Sequence, residues 1–196
     1  MSQLLIATRN AHKLAEIRTM LLGIDLVGTE GWPHVPDPEE TGDTFEANAR
    51  IKAEAWCAAT GLPALADDSG LEVEALGGAP GIRSARYAGA HGDTAANNAK
   101  LLRELAGHTD RSARFVCALA LALPGRPTRV LRGVCEGRIA ESASGAGGFG
   151  YDPLFVPEGH DRSFADLPAE VKATLSHRAR AFAQARAAWF AAGALS

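Results

Sequence analysis

Residues 3–22 read QLLIATRNAHKLAEIRTMLL and change their hydrophobic periodicity part-way along. Gln3 to Ala7 form a short apolar run, which predicts a buried β-strand. Ala11 to Leu22 predict a helix, because apolar side chains recur there every three to four residues. Those side chains are Leu14, Ile17, Leu21 and Leu22. A strand that leads directly into a helix is the building unit of an α/β protein.

The rest of the chain supports an α/β fold with a mixed sheet. The predicted strands cover residues 25–29, 62–66, 71–76, 114–123 and 129–139, and the predicted helices cover 43–60, 93–105 and 176–192. Residues 30–42 contain three prolines and predict a loop. Strands and helices alternate early, and two strands joined at Pro124–Pro127 predict a late hairpin. We therefore expect one domain, residues 1–196, with a mixed twisted sheet flanked by helices.

Two local signals set boundaries inside this pattern. Asp43 and Glu46 have the spacing of a capping box, which predicts Asp43 as the N-cap of the second helix. Asp67-Asp68-Ser69-Gly70 follows the apolar run 62–66 and predicts an abrupt break between two short strands.

Composition excludes several classes of protein. Hydrophobic residues make up 46% and charged residues 22% of 196 residues, which is ordinary for a globular protein. The longest unbroken apolar run, Phe115 to Leu123, is nine residues long, whereas a membrane-spanning helix needs about 20. The net charge of −3 and the lack of a basic cluster argue against a nucleic-acid partner. We expect a cytoplasmic protein with no signal peptide and no membrane association.

The three cysteines and six histidines do not form a recognisable metal or disulfide pattern. Cys57, Cys117 and Cys135 are odd in number and far apart, which argues against a disulfide framework. The histidines lack the spacing of a zinc enzyme.

The first strand-to-helix junction carries a candidate anion site. Thr8, Asn10 and Lys13 lie where a helix N-terminus offers backbone N–H groups and the positive end of its dipole. The alternative is purely structural, because Thr and Asn are also favoured helix caps.

Asp67 and Asp68 are adjacent carboxylates directly after an apolar run, so a nearby cation is needed to keep both ionised. Mg²⁺ suits this position, since it binds one or two carboxylates together with substrate phosphates. The alternative is an acidic turn closed by its own side chains.

Three further motifs allow both functional and structural interpretations. Glu39 and Glu40 offer loop carboxylates or simply a solvated turn. Phe149 and Tyr151, in a glycine-rich segment, suit nucleobase stacking, and core packing of Phe149 is the alternative. His177 and Arg178, with Lys172 upstream, suit either an oxygen-rich ligand or the start of the last helix.

Taken together and in order, these motifs resemble the inosine triphosphate pyrophosphatase family, the RdgB-like dITP/XTP pyrophosphatases. The resemblance extends from Leu5 to Arg178. The residues that carry it are 7–10 with Lys13 and Glu16, 39–42, 45–49 with Lys52, 66–71, 76–81, 84–87, 147–153 and 176–178. Position 9 departs from the pattern, because Arg stands where the family usually has Gly or Ser.

The resemblance implies two lobes with the active-site cleft between them, and Mg²⁺-dependent hydrolysis of inosine, deoxyinosine and xanthosine triphosphates to the monophosphate and pyrophosphate. It implies phosphate binding by Thr8, Arg9, Asn10, Ala11, His12 and Lys13, helped by Lys52 and Ser69. It implies that Glu39 and Asp68 hold Mg²⁺ and that Asp68 activates water. It implies that the purine and sugar are enclosed by Phe149, Gly150, Tyr151, Asp152, Lys172, His177 and Arg178. A homodimer is also implied.

Two other functions remain open on the sequence. One is a Maf-like pyrophosphatase that acts on modified pyrimidine triphosphates. The other is a nucleotide sensor that binds a triphosphate without cleaving it. Activity on a panel of triphosphates separates all three.

Overall fold

The computed structural model describes residues 3–190, which form six β-strands and five α-helices. The strands are β1 Leu4–Ile6, β2 Leu26–Val27, β3 Ala64–Val73, β4 Ser112–Ala122, β5 Arg129–Ile139 and β6 Phe155–Pro157. The helices are α1 Ala11–Met20, α2 Phe45–Thr60, α3 Thr94–Glu104, α4 Ala169–Leu175 and α5 His177–Trp189.

The strands form one mixed sheet in the order β2-β1-β3-β4-β5-β6. β1 pairs in parallel with both β2 and β3, whereas β5 and β6 pair antiparallel. The predicted mixed α/β sheet is therefore confirmed.

The chain divides into two compact units. The first contains the residues up to Asp68, residues 117–133 and the residues from Ala181 onward. Its core is built on the apolar faces of β1, α1, β4 and α5, with Leu4, Ile17, Leu119 and Phe182 among its buried residues.

The second unit contains Ser69–Val116 and Val134–Arg180. Its core packs Leu71, Leu101 and the aromatic rings of Phe115, Phe155 and Phe164. The centroids of Phe115 and Phe155 lie 4.5 Å apart, and those of Phe155 and Phe164 lie 5.4 Å apart.

The predicted break at Asp67–Gly70 is wrong, because β3 continues through it from Ala64 to Val73. Asp67 and Asp68 are only 3% and 7% exposed, so two carboxylates are buried inside a strand. Burial of a carboxylate is tolerated where a cation compensates it, and lysines of α1 and α2 do so here. Beyond Val73 the predicted strand is also wrong, since Glu74–Leu76 form a 3₁₀ turn.

Two predicted helix ends differ from the observed ones. The N-cap of α2 is Thr44, not Asp43, because the Thr44 hydroxyl accepts the hydrogen bond from Ala47 N–H at 3.1 Å. α1 ends at Met20, so Leu22 lies past the helix and is 73% exposed, instead of joining the buried face.

The sequence patterns missed β6 and α4, both of which are short. The last helix begins at His177, one residue later than predicted. Its predicted end at Ala192 lies outside the described residues.

Cys57, Cys117 and Cys135 are buried, and in the described part of the chain none of them forms a disulfide. Within residues 3–190, no helix is both long and apolar enough to cross a bilayer.

Candidate active site

Two capping side chains close the turn between β1 and α1. Asn10 Oδ1 accepts hydrogen bonds from the backbone N–H groups of His12 at 3.0 Å and Lys13 at 3.1 Å. Thr8 Oγ1 accepts one from the backbone N–H of Asn10 at 3.2 Å. The helix-capping role given as the structural alternative for Thr8 and Asn10 is therefore observed. Ala11 and His12 are exposed at the positive end of the α1 dipole, so the same turn presents a surface suited to an anion.

Lys13 reaches from α1 to the buried carboxylate of Asp67 on β3. Its Nζ lies 3.2 Å from Asp67 Oδ2, and the Asp67 side chain is completely buried. An ammonium group of this turn is thus directed towards the acidic part of β3.

Lys52 of α2 contacts two carboxylates at once. Its Nζ donates to Asp68 Oδ1 at 3.1 Å and lies 3.1 Å from Glu40 Oε1, with 13% of the Lys52 side chain exposed. The second oxygen, Asp68 Oδ2, is buried and accepts no hydrogen bond within residues 3–190. Asp68 therefore has one oxygen fixed by an ammonium group and one with available lone pairs.

The pKa values of this pair follow from burial and mutual attraction. Burial raises the pKa of Asp68 above its ordinary value, and the positive charges of Lys52 and Lys13 partly oppose that rise. Burial lowers the pKa of Lys52, but the carboxylates of Asp68, Asp67 and Glu40 outweigh it, so the net shift is upward. Asp68 is thus a carboxylate with increased proton affinity, as a general base requires.

Glu39 and Glu40 lie on the loop between β2 and α2, and they differ in environment. Glu39 is exposed, whereas Glu40 is the residue that pairs with Lys52. The end of this loop is fixed by Asn48, a fully buried residue of α2 whose Oδ1 accepts from the backbone N–H of Gly42 at 2.8 Å.

Arg9 also contacts this loop. Its Nη2 donates to the backbone carbonyl of Val35 at 2.7 Å, and its Nε lies 3.2 Å from Asp37 Oδ2.

A second group of predicted site residues lies in the other unit, around Asp152. Asp152 Oδ2 accepts from the backbone N–H of Phe149 at 2.8 Å and from Lys172 Nζ at 2.6 Å. Lys172 Nζ also lies 4.5 Å from the centroid of the Phe149 ring, which is a cation–π distance. Asp152, 2% exposed, therefore fixes both the turn and the ammonium group beside the ring.

Arg178 and His177 begin α5 and are almost fully buried, at 1% and 5% exposure. Arg178 Nη2 donates to Ser69 Oγ at 3.0 Å, and its Cζ lies 5.9 Å from the Phe149 ring. The His177 ring stacks on Phe115 with a centroid distance of 4.7 Å. A buried guanidinium group and an imidazole thus lie in the same part of this unit as the Phe149 turn.

Tyr151 and Gly150 serve to anchor this turn. The Tyr151 hydroxyl donates to the carbonyl of Ser84 at 2.9 Å, its ring is part of the core of the second unit, and burial raises its pKa. The Gly150 carbonyl accepts from Asn98 Nδ2 at 3.1 Å. Tyr151 is thus packed in the core of this unit, where it supports the turn.

Comparison with known proteins identifies the family. The model of the Ham1 family matches residues 4–188. This chain belongs to the Ham1 family. A dITP/XTP pyrophosphatase of Streptomyces coelicolor is 53% identical over 188 residues, which cover 93% of this chain and 94% of the relative. A dITP/XTP pyrophosphatase of Geobacillus kaustophilus is 48% identical and covers 96% of this chain and 95% of the relative.

Solved structures agree with this membership. The Staphylococcus aureus Ham1 protein superposes with a TM-score of 0.88 at 42% identity, covering 94% of this Ham1-family chain and 96% of that one. A nucleoside-triphosphatase / dITP/XTP pyrophosphatase from Mycobacterium abscessus gives a TM-score of 0.80 at 46% identity, with coverage of 93% and 97%. The family resemblance seen in the sequence is confirmed.

Sequence reasoning singled out Asp67 and Glu40 as candidate carboxylates but assigned them no partner, and it gave no role to two residues that organise the two groups, Asn48 and Asn98. Asp67 and Glu40 are the acidic partners of Lys13 and Lys52. The presence of Lys13 and Lys52 in the same set of motifs as the two adjacent aspartates is a signal that could have predicted these ion pairs. The buried amides have no such signal, since an Asn on a helix is normally solvated.

Proposed function

We propose that this Ham1-family protein is a dITP/XTP pyrophosphatase, a hydrolase that converts non-standard purine nucleoside triphosphates to the monophosphate and pyrophosphate. The observation that carries the proposal is the similarity, at about half of all positions over nearly the whole chain, to relatives with that name. Such an enzyme removes deaminated purines from the nucleotide pool.

The phosphates are assigned to the first turn of α1 and to the two lysines. Backbone N–H groups and a helix dipole suit phosphate oxygens, and Lys13 and Lys52 supply positive charge there. The residues assigned are Thr8, Asn10, Ala11, His12 and Lys13, with Lys52 and Ser69; the Arg9 side chain is directed to Val35 and Asp37 instead. On binding, phosphate oxygens compete with Asp67 and Asp68 for the lysine ammonium groups.

Mg²⁺ is the proposed cofactor, and the donor set fits it. Within residues 3–190, no group of three or more His, Cys, Asp or Glu side chains is arranged to hold a metal. Mg²⁺ does not require one, since it commonly binds one or two carboxylates and completes its shell with phosphates and water. Asp68 Oδ2 offers available lone pairs, and Glu39 offers an exposed carboxylate on the neighbouring loop. When bound, the ion supplies charge neutralisation for the departing pyrophosphate.

Asp68 is the proposed base. A water oxygen attacks the α-phosphorus, the bond between that phosphorus and the oxygen leading to the β-phosphate breaks, and pyrophosphate leaves with the bonding electrons. The proton of the water passes to the Asp68 carboxylate. Burial favours this transfer because it increases the proton affinity of Asp68.

The purine and sugar are assigned to the second group: Phe149, Gly150, Tyr151, Asp152, Lys172, His177 and Arg178. Selectivity comes from donors that meet the purine 6-oxygen. Adenine carries an amino group at that position and leaves buried donors unpaired, a mismatch that can cost about 10⁴-fold in kcat/KM.

The decisive experiment measures released phosphate, with an inorganic pyrophosphatase as coupling enzyme, on ITP, dITP, XTP, ATP, GTP, dTTP and a methylated dTTP, with and without Mg²⁺. We expect Mg²⁺-dependent turnover that prefers ITP, dITP and XTP. Preference for the modified pyrimidine would indicate a Maf-like enzyme, and saturable binding without turnover would indicate a sensor. The homodimer implied by the family resemblance is tested by size-exclusion chromatography with light scattering, which gives the molar mass in solution.

Replacing Gly148 by Ala tests the turn that carries Phe149. Gly148 has φ +69°, and a Cβ there would overlap the Asp152 carboxylate, which two donors hold in place. We expect a loss of about 2 kcal/mol in the free energy of unfolding and a roughly tenfold increase in the KM for ITP, since a displaced stacking ring costs about 1–3 kcal/mol.

Gly159→Ala is the matched control, because Gly159 has φ +80° and open space around its Cα. It has a similar backbone cost of about 1–2 kcal/mol but should leave the KM for ITP unchanged. Equal KM values in the two variants would contradict the assignment of this turn to the purine.

A further inference from the structure

Arg9 bridges two different groups on the loop between β2 and α2. Its Nη2 donates to the Val35 carbonyl at 2.7 Å, and its Nε lies 3.2 Å from Asp37 Oδ2. A planar guanidinium presents its donors in a fixed fork, so contact with two acceptors restricts both their distance and their orientation. An ammonium group on a flexible stem would not impose the same restriction.

The other side of the guanidinium faces a buried aromatic ring. Arg9 Cζ lies 6.0 Å from the centroid of Trp56, a residue of α2 that is 1% exposed. Because Arg9 directly precedes Asn10, the N-cap of α1, its backbone is fixed as well. The loop is thus attached to the Arg9 side chain, whose guanidinium group lies near the Trp56 ring and whose backbone is fixed beside the Asn10 cap.

The attached segment carries the acidic residues of the site. Glu39 and Glu40 follow Asp37 by two and three residues, and Glu40 pairs with Lys52. Beyond them, Gly42 is fixed by Asn48 at 2.8 Å. Arg9 is therefore the upstream anchor, and Asn48 the downstream anchor, of the segment 37–42.

We propose that Arg9 is a positioning residue that holds residues 35–40 so that Glu40 stays paired with Lys52 and Glu39, the preceding residue, stays on the same ordered segment. This role differs from the phosphate contact that the family resemblance implies for position 9. Its consequence for catalysis rests on the proposed function, in which Glu39 helps to hold Mg²⁺. The ordering of the loop does not depend on that function.

Hydrogen exchange of the ligand-free protein tests the loop directly. The loss of a charge-assisted hydrogen bond and an ion pair should let the backbone N–H groups of Val35, Asp37 and residues 39–42 exchange about fivefold faster in Arg9→Ala. Asp37→Ala should give about a twofold increase, because it removes only the ion pair.

Arg18→Ala is the control, since within residues 3–190 Arg18 forms its ion pair with Glu30, at 3.9 Å, and not with the segment 35–42. Unchanged exchange in Arg9→Ala would overturn the proposal.

Kinetics separate positioning from phosphate binding. We expect Arg9→Ala and Asp37→Ala to raise the Mg²⁺ concentration for half-maximal ITP hydrolysis, by about fivefold and twofold. The double variant should match Arg9→Ala, because the two residues act through one contact. A phosphate contact would instead raise the KM for ITP in Arg9→Ala alone, leave Asp37→Ala unaffected, and overturn the proposal. If the wild type hydrolyses no triphosphate, the proposed function fails while the exchange result still decides the role of Arg9.

Discussion

Asp68→Asn should lower kcat for ITP by about 10³-fold, since a positioned general base contributes about 10² to 10⁴. The amide has nearly the same shape as the carboxylate but cannot accept the proton of the attacking water. Nucleotide binding should change little, because Lys13 and Lys52 remain available to the phosphates. Steady-state kinetics give kcat, and calorimetric titration of the variant with ITP gives the dissociation constant.

The fold should survive this substitution. Lys52 keeps its 3.1 Å contact with Glu40 when the charge of Asp68 is removed. Asp161→Asn, at an exposed position, is the control for the same chemical change elsewhere and should leave kcat unaltered. A kcat for Asp68→Asn within threefold of the wild type, in a protein with an unchanged thermal midpoint, would exclude Asp68 as the base.

His177→Ala and Arg178→Ala should each reduce the preference for ITP over ATP, expressed as the ratio of kcat/KM values, by about 10- to 100-fold. Both side chains are buried in the same unit as the Phe149 turn, and Arg178 already donates to Ser69. Without one donor, the 6-oxygen of ITP loses a hydrogen bond. The 6-amino group of ATP, itself a donor, instead loses an unfavourable contact with another donor. Turnover of ITP should fall while that of ATP rises or stays level.

Arg180→Ala supplies the comparison, because Arg180 lies on the same helix but is exposed and bonds to the Val134 carbonyl. Arg178→Gln and His177→Asn keep a hydrogen-bond donor at each position. They also leave a smaller cavity than alanine does, so they test the same role if the alanine variants fail to fold. If all four site variants fold and retain the wild-type ratio, base recognition lies elsewhere in the chain.

The sequence predicted those elements whose periodicity is strong. The strand–turn–helix unit at residues 3–22, the helix α2 and the long strands β4 and β5 all follow from the sequence pattern. β6 and α4 were missed because three and seven residues contain too little periodicity to stand out.

The larger error was the strand break predicted at Asp67 and Asp68. Local reasoning treats adjacent carboxylates as a turn, because it cannot see that Lys13 and Lys52, far away in sequence, will lie beside them. The same limitation hid the role of Arg9, whose partners Val35 and Asp37 lie 26 and 28 residues further along the chain. Family resemblance located the important segments, but contact partners became visible only in three dimensions.

The continuity of β3 has a consequence for how this enzyme can be modified. Asp68 occupies a ten-residue strand between β1 and β4 rather than a loop tip. Loops tolerate insertion and sequence drift, whereas a strand inside a sheet does not. Libraries that vary Phe149 while sparing its anchors Gly148, Tyr151 and Asp152 and the strand 64–73 should therefore change base preference with the hydrolytic step intact. Changes in the length of exposed loops should leave Asp68 in register within the sheet.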